Sequence, residues 1–130
     1  MILVDSSVWI DYFRGASTAQ TAKLDSLLPR ERLAIGDLVV AEVLCGFRDD
    51  KAFERARKVL EAFKLIELGG YRIALQAAKN YRLLKARGIS VRKTIDCIIA
   101  TKCIDDGLSL LHSDRDFAPF VEHLGLKSVL

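Results

Sequence analysis

Met1-Ile2-Leu3-Val4-Asp5-Ser6-Ser7-Val8-Trp9 is the stretch from which the fold reads. An uncharged aliphatic run meets a single Asp, and two hydroxyl residues then lead into the apolar-periodic Val8, Trp9, Tyr12 and Phe13. That pattern predicts a short buried strand turning into a helix. Asp5 therefore stands at a strand's carboxyl end, the edge at which open α/β sheets bind ligands. Taken alone, the position reads equally well as a helix cap supplied by Asp5 or Ser6.

The frame around this stretch is one domain. A chain of 130 residues suffices for a single core over residues 1–130. Hydrophobic residues at 51% and charged residues at 28% suit a compact globule and argue against a fibrous or disordered chain. No apolar run reaches the roughly 18 residues of a membrane span. Asp5 follows residues 1–4 with no basic region or cleavage site, so no signal peptide is expected and the cytoplasm is the expected compartment. Cys45, Cys97 and Cys103 lack C-x-x-C spacing, which argues against a disulfide framework or zinc knuckle. They read as small buried residues.

Outward from Asp5, strand and helix patterns alternate. Helices are predicted over 7–14, 18–28, from 36–37 through 44, over 49–63 with Asp49 or Asp50 as cap, over 71–86 with a left-handed stop at Gly88, over 94–105, and over 114–124. Strands are predicted at 33–35, 65–68, 108–112 and 126–130. Such alternation implies an α/β fold in which a parallel sheet is covered by helices on both faces.

Four acids recur at comparable places in this alternation. Asp5 follows the first strand, Glu42 lies in the helix after the second, Asp96 opens the helix before the fourth, and Asp114 follows that strand. Glu42 sits among Val40, Ala41, Val43 and Leu44, so its charge needs either solvent or a partner. Adjacency of the first and fourth strands would bring Asp5 and Asp114 to one edge. Carboxylates gathered there would raise one another's pKa values unless a cation were present. An oxygen-only site suits a hard divalent ion, magnesium or manganese.

The ordered set Ile2-Leu3-Val4-Asp5-Ser6-Ser7-Val8-Trp9-Ile10-Asp11, Val40-Ala41-Glu42-Val43 with Gly46, Thr94-Ile95-Asp96 leading to Ile99-Ala100, and Ser113-Asp114-Arg115-Asp116-Phe117 resembles the PIN-domain ribonucleases. Within them it most resembles the VapC toxins of type II toxin-antitoxin modules. The resemblance implies a PIN-like α/β/α sandwich with a parallel sheet of about five strands, and magnesium-dependent endonucleolytic cleavage of RNA with tRNA as the expected substrate. It also implies a VapB-like antitoxin partner and a homodimer. The family's acidic quartet falls on Asp5, Glu42, Asp96 and Asp114, with Asp116 as an additional acidic position and Ser6 as the accompanying hydroxyl. By the same resemblance Asp5 and Asp96 contact the metal most directly, with Asp114 beside them. Glu42, Asp114 and Asp116 then orient water or complete a second metal position. Asp116 reads equally as a carboxylate favoured by a helix amino terminus.

Charge distribution points to nucleic acid without the resemblance. Residues 1–47 sum to −2, residues 48–102 to +8 and residues 103–130 to −3. From Leu68 to Ile95 the chain carries Arg72, Lys79, Arg82, Lys85, Arg87, Arg92 and Lys93 with no acidic side chain. Lys79, Arg82 and Lys85 step by three along a predicted helix and form a ridge suited to phosphates, with Arg92 and Lys93 as further candidates for the RNA backbone. Tyr71 and Tyr81 read as stacking partners for bases or as core. His112 and His123 read as structural and surface residues, with no Ser or Cys placed to complete a hydrolytic triad. Two other functions fit less well. A phosphoacceptor receiver needs a paired acid after its first strand, where this chain has Ser6-Ser7. A catalytically silent RNA-binding or protein-interaction domain that keeps the PIN fold is disfavoured by the retention of all four acids, since a phosphate-binding surface gains nothing from anionic residues.

Overall fold

A computed structural model describes residues 1–130. In chain order it contains β1 (Ile2–Val4), α1 (Ser6–Phe13), α2 (Ala19–Leu27), β2 (Leu33–Gly36), α3 (Asp37–Leu44), α4 (Asp50–Glu61), β3 (Lys64–Ile66), α5 (Tyr71–Ala86), α6 (Thr94–Asp106), β4 (Ser109–Leu111), a 3-10 turn (Arg115–Phe117), α7 (Ala118–Leu124) and β5 (Lys127–Ser128). The five strands form one sheet in the order β3-β2-β1-β4-β5, and every pair is parallel. Helices flank it, as the alternating pattern predicts.

Sheet order explains where a site can form. The chain lays β2 and β3 outward on one side of β1, then crosses to place β4 and β5 on the other. The strand order thus reverses between β1 and β4, and a crevice opens at the carboxyl ends of strands diverging in this way. Val4 pairs with Leu111, and the Asp5 amide donates to the Leu111 carbonyl at 2.9 Å. Asp5 therefore leaves β1 directly beside the loop that carries Asp114.

The strands are short and almost wholly apolar because helices cover them. Leu3, Val4, Ala34, Ile35, Leu110 and Leu111 are all buried in one continuous core with Trp9, Ile99, Phe117 and Phe120. Helix starts follow the capping rules: the Asp49 side chain accepts from the Ala52 amide, and Thr18 and Thr21 form a reciprocal capping box. Gly88, just past α5, takes a φ of +83°, which a side chain would strain. Gly36 is needed for a different reason, close approach. A Cβ added there would lie 2.7 Å from Leu68 Cγ and nearer still to Leu68 Cδ1, and Leu68 is fully buried. Gly36→Ala is therefore expected to cost about 1–3 kcal/mol by overpacking. Denaturant titration checks this, and an unchanged midpoint would mean that Leu68 can move aside.

Several boundaries differ from the sequence reading. The expected helix over 114–124 is a 3-10 turn followed by α7, with Pro119 in the first turn of α7 where its missing amide costs no bond. The third strand ends at Ile66, so Leu68 packs from the following loop. Cys45 is exposed at the carboxyl cap of α3, whereas Cys97 and Cys103 are buried as expected. The apolar periodicity of α3 has already ended where Cys45 falls. No helix is long and apolar enough to cross a membrane.

Candidate active site

Asp5 caps α1 with one carboxylate oxygen and leaves the other without a partner. Its backbone is extended, and its Oδ2 accepts from the Ser7 amide at 3.1 Å and from the Ser7 hydroxyl at 2.6 Å. One oxygen thus completes the α1 cap. The other, Oδ1, is buried without any hydrogen-bond partner. Burial, partly offset by the Ser7 bonds, pushes the Asp5 carboxyl above its ordinary range.

Asp96 faces the same difficulty from α6. It lies in the first turn of that helix, where the dipole favours an anion, yet only 4% of it is exposed and Oδ2 has no partner. Burial first, and then the neighbouring charges of Asp5 and Asp114, push its carboxyl up to about 7. Glu42 enters from α3, where the Ser6 hydroxyl donates to Oε1 at 3.1 Å. Its carboxyl is likewise raised, chiefly by burial, with Asp5 and Asp114 adding repulsion.

Asp114 caps the 3-10 turn, its Oδ1 accepting from the Asp116 amide at 2.9 Å. Asp96, Asp114 and Asp116 each offer an oxygen such that the three atoms lie within 4.8 Å of one another. Asp116 therefore joins the acidic group rather than serving only the turn's amino terminus. The two cations preceding α6 lean into this group. Arg92 reaches both Asp116 oxygens at 3.3 Å, and Lys93 Nζ lies 3.5 Å from Asp114 Oδ2. Asp114 and Asp96 hold the Lys93 ammonium above its usual pKa. A polar cavity of about 560 Å³ opens beside them, lined by Ser7, Arg92, Ser113, Asp114, Arg115 and Asp116 without an apolar side chain.

The donor set is consistent with a metal site. Several carboxylates converge with only exposed cations to balance them, and two buried oxygens, Asp5 Oδ1 and Asp96 Oδ2, have no protein partner; the oxygens within 4.8 Å of one another belong to Asp96, Asp114 and Asp116, and Asp5 stands outside that group. A hard cation bound among Asp96, Asp114 and Asp116 would offset the clustered charge and give Asp96 a partner.

The remaining candidates separate by position. Lys79, Arg82 and Lys85 are exposed along α5, and no hydrogen bond or ion pair joins them to the acids. Tyr71 is 82% exposed, while Tyr81 is half-buried with Lys85 above its ring. Trp9 packs in an aromatic cluster with Tyr12, Phe13 and Phe63. His112 bridges the Asp114 carbonyl and the Ser128 hydroxyl at 3.1 Å each, and burial lowers its pKa, so it braces the loop as a neutral ring. Ser7 and Ser113 were not singled out from the sequence. The one available signal was the hydroxyl two residues after Asp5, the spacing of a local side-chain turn.

The family model described as PIN domain matches residues 2–121. Ribonuclease VapC11 of Mycobacterium tuberculosis is 30% identical over 119 residues, covering 90% of this chain and 89% of the relative. Among solved structures, VapBC2 from Rickettsia felis, bound to a DNA fragment from its promoter, superposes with a TM-score of 0.75 at 16% identity, covering 98% of this chain and 97% of that one. A toxin-antitoxin complex from Klebsiella pneumoniae does so with a TM-score of 0.73 at 22% identity, covering 100% and 97%. At such identities these two share the fold.

Proposed function

The chain belongs to the PIN-domain family and is related to the VapC ribonucleases, and from that premise we propose that it is the toxin of a toxin-antitoxin pair, a magnesium-dependent endoribonuclease. The observation that carries this reading is the pair of buried, unpartnered oxygens, Asp5 Oδ1 at the end of β1 where strand order reverses and Asp96 Oδ2 beside the Asp114–Asp116 turn that follows β4. A surface built only to bind RNA would not bury anions against phosphate.

Asp5, Asp96 and Asp114 would hold magnesium, or manganese in its place, with Asp116 close by; the ion's chemistry there is to neutralise phosphate charge and to acidify water. Hydrolysis adds a water oxygen to phosphorus, breaks one phosphodiester P–O bond and delivers a proton to the leaving oxygen. Ser6 fixes Glu42 Oε1 and leaves Oε2 to orient the attacking water. Arg92 and Lys93, already paired to carboxylates, are placed to exchange those partners for phosphate oxygens.

The exposed ridge of Lys79, Arg82 and Lys85 supports a long phosphate track, suited to a structured RNA such as tRNA. A VapB-like antitoxin would silence the site by covering the acidic group, and a second copy of the chain completes the proposed assembly. The test is cleavage of total RNA by antitoxin-free protein, with fragment ends mapped. Ends clustered in tRNA support the reading, and ends confined to other RNAs overturn the tRNA assignment. Binding without cleavage by folded protein would favour the silent module. Replacing Lys79, Arg82 and Lys85 together by Ala is expected to weaken RNA binding and to reduce its salt dependence by roughly two to three phosphate contacts. An unchanged salt slope would remove the ridge from the interface.

A further inference from the structure

The Ser7 side chain links two parts of the site that lie 106 residues apart. Its hydroxyl carries one hydrogen, which goes to Asp5 Oδ2 at 2.6 Å, and its oxygen then accepts from the Ser113 amide at 3.2 Å. Ser113 immediately precedes Asp114, whose Oδ1 accepts from the Asp116 amide. Hydrogen bonds therefore tie Asp5 to Ser7 and Ser7 to the Ser113 amide, and the peptide backbone continues from Ser113 into Asp114 and the acidic turn.

We infer that Ser7 is a positioning residue for the metal site, fixing Asp5 so that Oδ1 is left as its ligand oxygen and setting the approach of Asp114. The inference rests on the metal-site reading above. The α1 cap does not need this hydroxyl, because the Ser7 amide already reaches Oδ2 at 3.1 Å. A carboxylate held by one donor can turn about its last torsion, whereas two donors from one residue on the same oxygen hold it. The 2.6 Å separation is at the short end for an O–H···O bond, so the hydroxyl holds that oxygen closely. Ser6, the neighbouring hydroxyl, is committed to Glu42 and cannot substitute. Each hydroxyl of the Ser6-Ser7 pair thus serves a different carboxylate.

Ser7→Ala keeps the backbone cap and leaves Ser113, which is exposed, free to bond water. The experiment is a manganese titration, with free ion followed by electron paramagnetic resonance, on wild type, Ser7→Ala and Ser7→Thr. It is paired with thermal unfolding of each in chelator. Ser7→Ala is expected to bind manganese roughly 10–100-fold more weakly. Its Tm in chelator should fall by only a few degrees, and Ser7→Thr, which restores the hydroxyl, should restore the affinity. Wild-type affinity in Ser7→Ala, equal weakness in both variants, or failure of Ser7→Ala to fold would each overturn the inference while leaving the metal site standing. No manganese binding by wild type would overturn the metal site, and the inference with it.

Discussion

Asp5→Asn and Asp96→Asn are each expected to reduce RNA cleavage by on the order of a thousandfold or more while the protein stays folded. Both changes preserve side-chain size and remove the anion. Asn is as good a helix cap as Asp, so the bond from the Ser7 amide to residue 5 survives. At residue 96 the uncharged amide relieves the repulsion that burial and neighbouring acids impose. What disappears is the charge available to a divalent ion. Glu42→Gln should cost less, since its amide oxygen can still accept from Ser6 and only the ionisable group is lost. Initial rates and unfolding curves measured on the same preparations check all three.

Metal-free protein is expected to lose stability as pH rises, contrary to the usual behaviour of carboxylates. Asp96 titrates at about 7 in the fold, against an ordinary value of 3.8. Between those values the folded state binds more protons than the unfolded one, so the stability difference falls with pH and levels off above about 7. Asp5 and Glu42 are raised as well and act in the same direction. Asp106, paired with Lys102, is shifted the other way and softens the trend at the acid end, and His112, whose pKa burial lowers, opposes it as pH rises through the ordinary imidazole range.

In chelator, Tm should therefore drop between pH 5.5 and pH 8, an interval chosen to bracket the Asp96 titration near 7. Magnesium should restore it at the upper pH and do little at the lower, where protons already neutralise the site. Asp96→Asn should flatten the pH dependence and exceed wild type in stability at the upper pH without metal. A wild-type Tm that ignores both pH and magnesium would mean that these carboxylates are solvated and unstrained.

Much of this arrangement was legible in the chain because its causes are local. The aliphatic run into Asp5 could be little other than a buried strand, and the neighbouring Leu108-Ser109-Leu110-Leu111 run carries the same signature. The placement of Asp5 and Asp114 at one edge followed from strand alternation plus one adjacency, which the sheet has. Distances were beyond reach. That Asp116 closes on Asp96 and Asp114 depends on a 3-10 turn, whose tighter winding re-aims the side chain relative to the helix that periodicity suggests. The role of Ser7 was out of reach because its other partner, Ser113, is remote in sequence. Cys45 was misplaced for a simpler reason: composition predicts average burial of a residue type, while exposure is set by which side of α3 the cap emerges from.

The most direct test of the account is the rate of cleavage of a single defined RNA as magnesium is titrated from chelator, for wild type and Asp96→Asn in parallel. The account predicts a rate that is negligible in chelator and saturates with magnesium in wild type, and a flat baseline in the variant. Cleavage by wild type that persists in chelator, or a variant that matches wild type across the titration, would contradict the assignment of these carboxylates as the metal site of a ribonuclease.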